Sequence, residues 1–185
     1  FPSLKNISKK YNFNKIFYLN QQKKGWDLYE LNQKVSDKDM LIYSGRAYWE
    51  SEEAVKSNIK KLIDLAKSKN TKLILVNDLV PFGENYNIDF FPKFTFFRNG
   101  PSISREKAEK QRSKYTNLLK SFIDNKTIYY IDPLPKVCDA EICNAVIDGK
   151  LIYADGSPHF NKEGSLILNS LWLEKLPEIL FERNL

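Results

Sequence analysis

The sequence predicts an α/β protein, a three-layer α/β/α sandwich with a mainly parallel sheet. Helical and strand patterns alternate along the chain, as in folds built from parallel strands joined by helices. Residues 72–79 (KLILVNDL) are apolar at consecutive positions, the pattern of a strand with helices over both faces of its sheet. The 185 residues are 42% hydrophobic and 14% aromatic against 28% charged, enough apolar matter to offset chain entropy and to exclude general disorder. That length is most simply one domain over residues 1–185.

In chain order, Leu4, Ile7 and Tyr11 fall at helical spacing across residues 5–11, and residues 15–20 (KIFYLN) read as a short strand. Residues 27–35 fit either element. Met40, Leu41, Ile42 and Tyr43, followed by Ser44 and Gly45, form a buried strand ending at a turn. Ser51, Glu52 and Glu53 open a helix whose apolar face is Ala54, Val55, Ile59, Leu62, Ile63 and Ala66, closed at Lys69 and Asn70. The strand at 72–79 is stopped by Pro81. Residues 82–101 lack periodicity and hold Phe90, Phe91, Phe94, Phe96 and Phe97, an aromatic set that fits a cover over a ligand or ordinary core packing. A polar helix at 105–124 turns Ala108, Tyr115, Leu118, Leu119 and Phe122 inward, and a strand at 127–131 ends at Asp132 and Pro133. Asp148 and Gly149 between apolar runs mark a hairpin within 145–153. A last helix, from 162 to about 180, places Leu168, Leu171, Trp172 and Leu176 inward.

No apolar run approaches the ~20 residues of a membrane span, and no signal peptide pattern opens the sequence, so the chain as given reads as soluble. Twenty-nine Lys and Arg against 23 Asp and Glu give a net charge of +6. The lysines recur singly, with doublets only at Lys9-Lys10, Lys23-Lys24 and Lys60-Lys61. This is a solvated basic surface rather than a nucleic-acid footprint.

The one histidine, His159, lies in Asp155-Gly156-Ser157-Pro158-His159, where Gly156 and Pro158 favour a turn that brings Asp155 back towards the imidazole. A carboxylate there would fix the tautomer and stabilise the imidazolium formed when histidine takes a proton from a nucleophile. A surface turn with an incidental histidine is the competing reading.

The order of Cys138, Cys143, a glycine-bearing hairpin, Leu-Ile-Tyr-x-Asp155, His159, Asn-x-Glu-Gly164 and a terminal helix resembles the end of the SGNH (GDSL-like) domain fused to membrane acyltransferase-3 proteins. That family closes with paired cysteines and Tyr-x-Asp-x-x-His-Leu-Ser-x-x-Gly. The strand at 41–45 followed by Arg46-Ala47-Tyr48-Trp49 resembles its strand and Arg-Trp segment. The resemblance covers essentially the whole chain and implies an SGNH-hydrolase, flavodoxin-like sheet.

There are two departures. Three residues separate Asp155 from His159 where the family has two, and Gly-Asp-Ser, the nucleophile motif, is not in the sequence. Phe1-Pro2-Ser3-Leu4 resembles the helix that follows that motif. The resemblance therefore implies a nucleophile upstream of Phe1, with the first strand of the sheet missing and the chain by itself inactive. Ser44, at a strand end, is the alternative nucleophile inside the chain.

Gly45 and Arg46, just after a strand, and Asn77, beside Asp78 at the end of another, are candidate oxyanion or substrate contacts; for Gly45 and Arg46 a structural turn with Arg46 pairing an acid is equally compatible. Cys138 and Cys143 are the only cysteines. Their spacing permits a disulfide and makes a poor zinc site, while two reduced buried thiols are the other reading. A disulfide and the resemblance both point to an oxidising compartment, the periplasmic face of the inner membrane.

The implied function is acyl transfer, in its simplest form acetyl transfer, through an acyl-serine to a hydroxyl of a cell-surface glycan. His159 would be base and then acid, and Asp155 its orienting partner. The partners would be a transmembrane acyltransferase domain of the same protein, an acyl donor and a glycan acceptor, with no cofactor, metal or nucleic acid. A GDSL-like esterase and a non-catalytic glycan-binding domain are the alternatives.

Overall fold

The computed structural model describes residues 15–20, 28–37, 39–44, 51–79, 100–153 and 160–181. Among these described residues four parallel strands form the main sheet: β1 (Ile16–Asn20), β2 (Met40–Ser44), β3 (Lys72–Val76) and β5 (Ile128–Ile131), in the order β1-β2-β3-β5. The parallel sheet expected from the consecutive apolar run is therefore present. Ile16 to Asn20 pair residue for residue with Met40 to Ser44, and Met40 to Ser44 with Lys72 to Val76. β3 ends at Val76, short of the expected Leu79.

The chain divides into two compact units. In the first, made of residues 1–78 and 115–131, the register aligns Phe17, Leu41, Leu73 and Ile128 in one row and Leu19, Tyr43, Leu75 and Tyr130 in the next. These two rows share a core with Leu31 and Val35 of and beside α1 (Leu28–Lys34), with Val55, Ile59, Leu62 and Ala66 of α2 (Glu52–Ser68), and with Tyr115, Leu118 and Leu119. The opposite face of the sheet is buried too: Met40, Ile42 and Ile74 are wholly inaccessible and Tyr129 and Ile131 nearly so. Burial on both faces is the condition that the apolar strand run predicted.

α2 begins where the sequence places it. Ser51 accepts the Ala54 N–H through its Oγ at 3.2 Å, satisfying one of the free donors of the first turn. The undecided segment 27–35 is α1, a short helix whose inward residues are Leu31 and the following Val35.

The second unit comprises residues 79–114 and 132–185. Its first described element is β4 (Ser102–Ser104), which the sequence did not signal and which pairs antiparallel with β6 (Ile142–Asn144). β4 leads directly into α3 (Arg105–Lys120), which stops before the expected Asp124 in a turn where Asn125 has φ 53°. A 3₁₀ turn (Leu134–Lys136) follows β5. β7 (Val146–Ile147) and β8 (Lys150–Leu151) form the expected hairpin, and Asp148 and Gly149 both have positive φ, as a two-residue primed turn requires. α4 (Lys162–Phe181) closes the chain with Leu171, Trp172 and Leu176 buried; Leu168 is half-buried. The second core gathers Ala108, Leu134, Val137, both cysteines, Ala145, Ile152 and Tyr153. Among the described residues no helix is long and apolar enough to cross a membrane.

Candidate active site

Parallel strands carry their ligand sites at their carboxyl ends. Here these ends are Asn20, Ser44, Val76 and Ile131, which the register places along one edge of the sheet. Ser44 ends β2 and is half-buried. Gly45 and Arg46 follow it in sequence and lie outside the described residues, as do Ser3, the helix expected at 5–11 and the aromatics Phe90 to Phe97.

Asn77 follows β3 at this edge and is almost fully buried. Its backbone N–H donates to Ile131 O at 2.9 Å, which carries the pairing of β3 with β5 one residue further. Its side-chain Nδ2 donates to Thr116 Oγ1 at 2.8 Å and to Tyr130 OH at 2.7 Å, while Oδ1 accepts the Asp78 N–H at 3.0 Å. Both amide protons are thus committed, and contact with an oxyanion would require one of these partners to be released. The sequence singled out Asn77 but gave no sign of Thr116 or Tyr130, which come from a helix and a strand about forty and fifty residues further along.

In the second unit, Asp155 and His159 lie outside the described residues, but the chain on both sides of them is defined. Tyr153 and Phe160 form an antiparallel bridge, and their rings pack with centroids 5.4 Å apart. Asn161 N–H donates to Ile152 O at 3.0 Å. Its Nδ2 donates to Leu151 O at 2.6 Å and to Tyr153 O at 3.3 Å. Its Oδ1 accepts the Gly164 N–H at 3.0 Å, capping the first turn of α4. Gly164 is required by this approach: a Cβ there would fall well inside contact distance of both Ile152 O and the Phe160 ring. Asn161 and Gly164 appeared in the sequence as a motif; their roles as clamp and close contact did not.

Cys138 and Cys143 form a disulfide, with Cα atoms 3.9 Å apart, which decides between the two readings of the pair. Within the loop it closes, Asp139 Oδ1 accepts the N–H groups of Ile142 at 2.8 Å and Glu141 at 2.9 Å. Those two donors, assisted by the positive charge of Arg105, hold the Asp139 carboxyl below the usual carboxylate range despite a small opposing effect of burial.

The same unit contains an ion pair that the sequence did not announce. Arg112, on the inward face of α3 and almost fully buried, pairs through Nη2 with Asp132 Oδ1. Asp132 Oδ1 also accepts the Leu134 N–H at 3.0 Å, starting the 3₁₀ turn. Among the described residues, no cluster of three or more His, Cys, Asp or Glu is placed to hold a metal ion.

Comparison with known proteins gives this arrangement a lineage. A GDSL-like lipase from Bacteroides thetaiotaomicron aligns with a TM-score of 0.50 at 15% identity, over 92% of this chain and 90% of its own. A candidate acylhydrolase from Bacteroides fragilis aligns with a TM-score of 0.50 at 14% identity, over 90% and 87%. At such identities the likeness establishes the fold, an α/β/α architecture with a mainly parallel sheet. No curated protein matches the sequence. The family model described as "SGNH domain (fused to AT3 domains)" matches residues 16–174, through both compact units. The chain therefore belongs to the family of SGNH domains fused to AT3 domains.

Proposed function

We propose that this chain is the extracytoplasmic SGNH domain of a membrane acyltransferase and passes an acyl group through an acyl-serine to a hydroxyl of a cell-surface glycan. The observation that carries the reading is the family match over residues 16–174, because a fused AT3 domain would be the membrane partner that delivers the acyl group in this reading. The disulfide supports a location on the oxidising, periplasmic side.

In this reading His159 takes the proton of the serine hydroxyl as that oxygen attacks the acyl carbonyl carbon. The tetrahedral intermediate collapses and the donor leaves with the proton. The acceptor hydroxyl then gives its proton to the same imidazole and attacks the acyl-serine, and the serine oxygen regains the proton as it leaves. Asp155 orients the ring. Gly45 and Arg46, by their place after β2, are the candidate donors to the oxyanion, and Asn77 would contact substrate only on releasing Thr116 or Tyr130.

The likeness to a protein described as a GDSL-like lipase favours a second reading, an esterase using water in place of the glycan hydroxyl. Glycan acylation by the full-length protein, measured beside hydrolysis of p-nitrophenyl acetate, separates the two. His159→Ala should lower turnover on the order of a thousandfold or more, as for members of one catalytic unit, and Asp155→Asn should cost less. Ser44→Ala should leave turnover unchanged, and the 185-residue chain alone should hydrolyse p-nitrophenyl acetate no faster than background. A folded His159→Ala protein with full activity would overturn the assignment.

A further inference from the structure

We infer that Asn77 is a pin that ties together the three places where the chain passes between its two compact units, and that its amide is committed there rather than to an oxyanion. The tie is independent of the reaction, whereas the exclusion from oxyanion binding rests on the acyl-transfer reading. The chain makes its passages at 78/79, 114/115 and 131/132. Asn77, Thr116 and Tyr130 each stand next to the boundary residue of the first unit, which is Asp78, Tyr115 and Ile131 in turn. One side chain joins all three. Nδ2 of Asn77 donates to Thr116 Oγ1 at 2.8 Å and to Tyr130 OH at 2.7 Å, bonds that reach 39 and 53 residues along the chain. Oδ1 accepts the Asp78 N–H at 3.0 Å, at the point where the first passage leaves the strand. The Asn77 N–H donates to Ile131 O at 2.9 Å, so the first and third passages are joined through the backbone as well.

The chemistry of asparagine fits this use. Asn77 is 2% exposed, and a buried amide is destabilising unless its polar atoms are satisfied. It offers two N–H donors and a carbonyl acceptor, and here they are filled by α3, by β5 and by the chain leaving β3. Aspartate keeps the Asp78 contact but has no proton for either hydroxyl. Effective oxyanion donors are already aimed at the place where charge develops and need no rearrangement during the reaction. The Asn77 amide would have to break a bond to a buried partner in every cycle. Left unbroken, the same bonds make displacement of one passage a displacement of all three.

Thr116→Val and Tyr130→Phe each delete one partner hydroxyl, and Asn77→Ala deletes the pin. Two measurements need no enzymatic activity. The bonds from Leu73 N–H to Thr127 O, at 2.8 Å, and from Asn77 N–H to Ile131 O close the two ends of one β3–β5 ladder. In Tyr130→Phe and in Thr116→Val, amide exchange at Asn77 should quicken roughly tenfold more than exchange at Leu73, because only one end of the ladder is loosened. In a double-mutant cycle, Asn77→Ala should shift the urea midpoint much less in the Tyr130→Phe background than in the parent, since that bond is already gone. Equal quickening at both ends of the ladder, or additive midpoints, overturns the pin. Should Asn77→Ala fail to fold, the exchange comparison in the two hydroxyl variants decides alone.

In the full-length protein the pin requires the three variants to change kcat by similar factors. An oxyanion donor requires the opposite: deleting either hydroxyl frees the amide and keeps kcat at the parental value, while Asn77→Ala alone costs about a hundred- to a thousandfold. That outcome would overturn the exclusion and return Asn77 to the reacting atoms. If the full-length parent transfers no acyl group and hydrolyses no ester, the functional reading is wrong, and exchange and midpoints still decide the pin.

Discussion

Arg112 and Asp132 form an unequal pair, and the inequality is measurable. Arg112 has a side chain 2% exposed, and its Nε finds no acceptor among the described residues, whereas the Asp132 side chain is 29% exposed and within reach of water. Asp132→Ala strands a buried guanidinium and removes the acceptor for Leu134 N–H. It should cost about 3–5 kcal/mol, the usual range for one partner lost from a buried pair. Arg112→Met leaves a carboxylate that solvent can hydrate, and it should cost distinctly less; urea unfolding midpoints of the two variants give the comparison. The order reversed would mean that Arg112 is held mainly by packing of its stem. Arg112 was illegible in the sequence for a definite reason. It sits at helical spacing between Ala108 and Tyr115, on the face read correctly as inward, but a charged residue enters a core only when its counter-ion is there, and Asp132 arrives from another element. Tyr115, Leu118 and Leu119 were legible because burial of an apolar side chain needs no particular partner.

Among the elements, the β7–β8 hairpin and the β4–β6 pair show what local sequence can carry. Asp148 and Gly149 announce their turn because its positive φ values restrict the residue types that fit. Nothing comparable marks Ser102–Ser104, three residues whose partners Ile142–Asn144 lie some forty residues away. What fixes that pairing is the neighbouring loop. Cys143 is bonded to Cys138, and the loop between them receives the first turn of α3, where Arg105 N–H donates to Glu141 O and Arg105 Nη1 to Asp139 O, each at 2.8 Å. Replacing both cysteines by alanine should lower stability by about 2 kcal/mol, the chain-entropy value for so short a loop. Hydrogen exchange of the Arg105 and Ala145 amides, which donate across this pair to Glu141 O and Pro101 O, should quicken more than that of Ile74 and Leu75 in the core strand β3. Unchanged exchange at β4 and β6 would show that their ladder stands without the staple.

At the scale of the whole molecule, the parallel sheet was legible because both its faces are apolar, while the candidate site was legible only as motifs. Cysteine spacing, Asp155 and His159 could be named from the sequence; the clamp around them required partners from separate segments. The response to acid also belongs to the whole molecule. Burial pushes the Asp124 carboxyl up, but the N–H groups of Ile128, Lys126 and Thr127 together outweigh it and leave the group below its usual range, as Asp139 is. A carboxyl depressed by folding stabilises the protein above its unfolded pKa of about 4 and loses that contribution as pH falls through its lower folded value. Melting temperature should therefore drop on acidification below about pH 4. The drop should be shallower in the Asp124→Ala and Asp139→Ala double variant, whose deficit against the parent closes at low pH; parallel curves would count against both carboxyls. Gly164 bears on how such domains are compared across lineages. Because a side chain there would collide with Ile152 O and Phe160, drift at this codon is barred by shape, whatever the domain does. A descendant without the chemistry proposed above would be free to lose His159 yet would keep this glycine, so the glycine follows the fold, and under that proposal only the histidine would report on the chemistry.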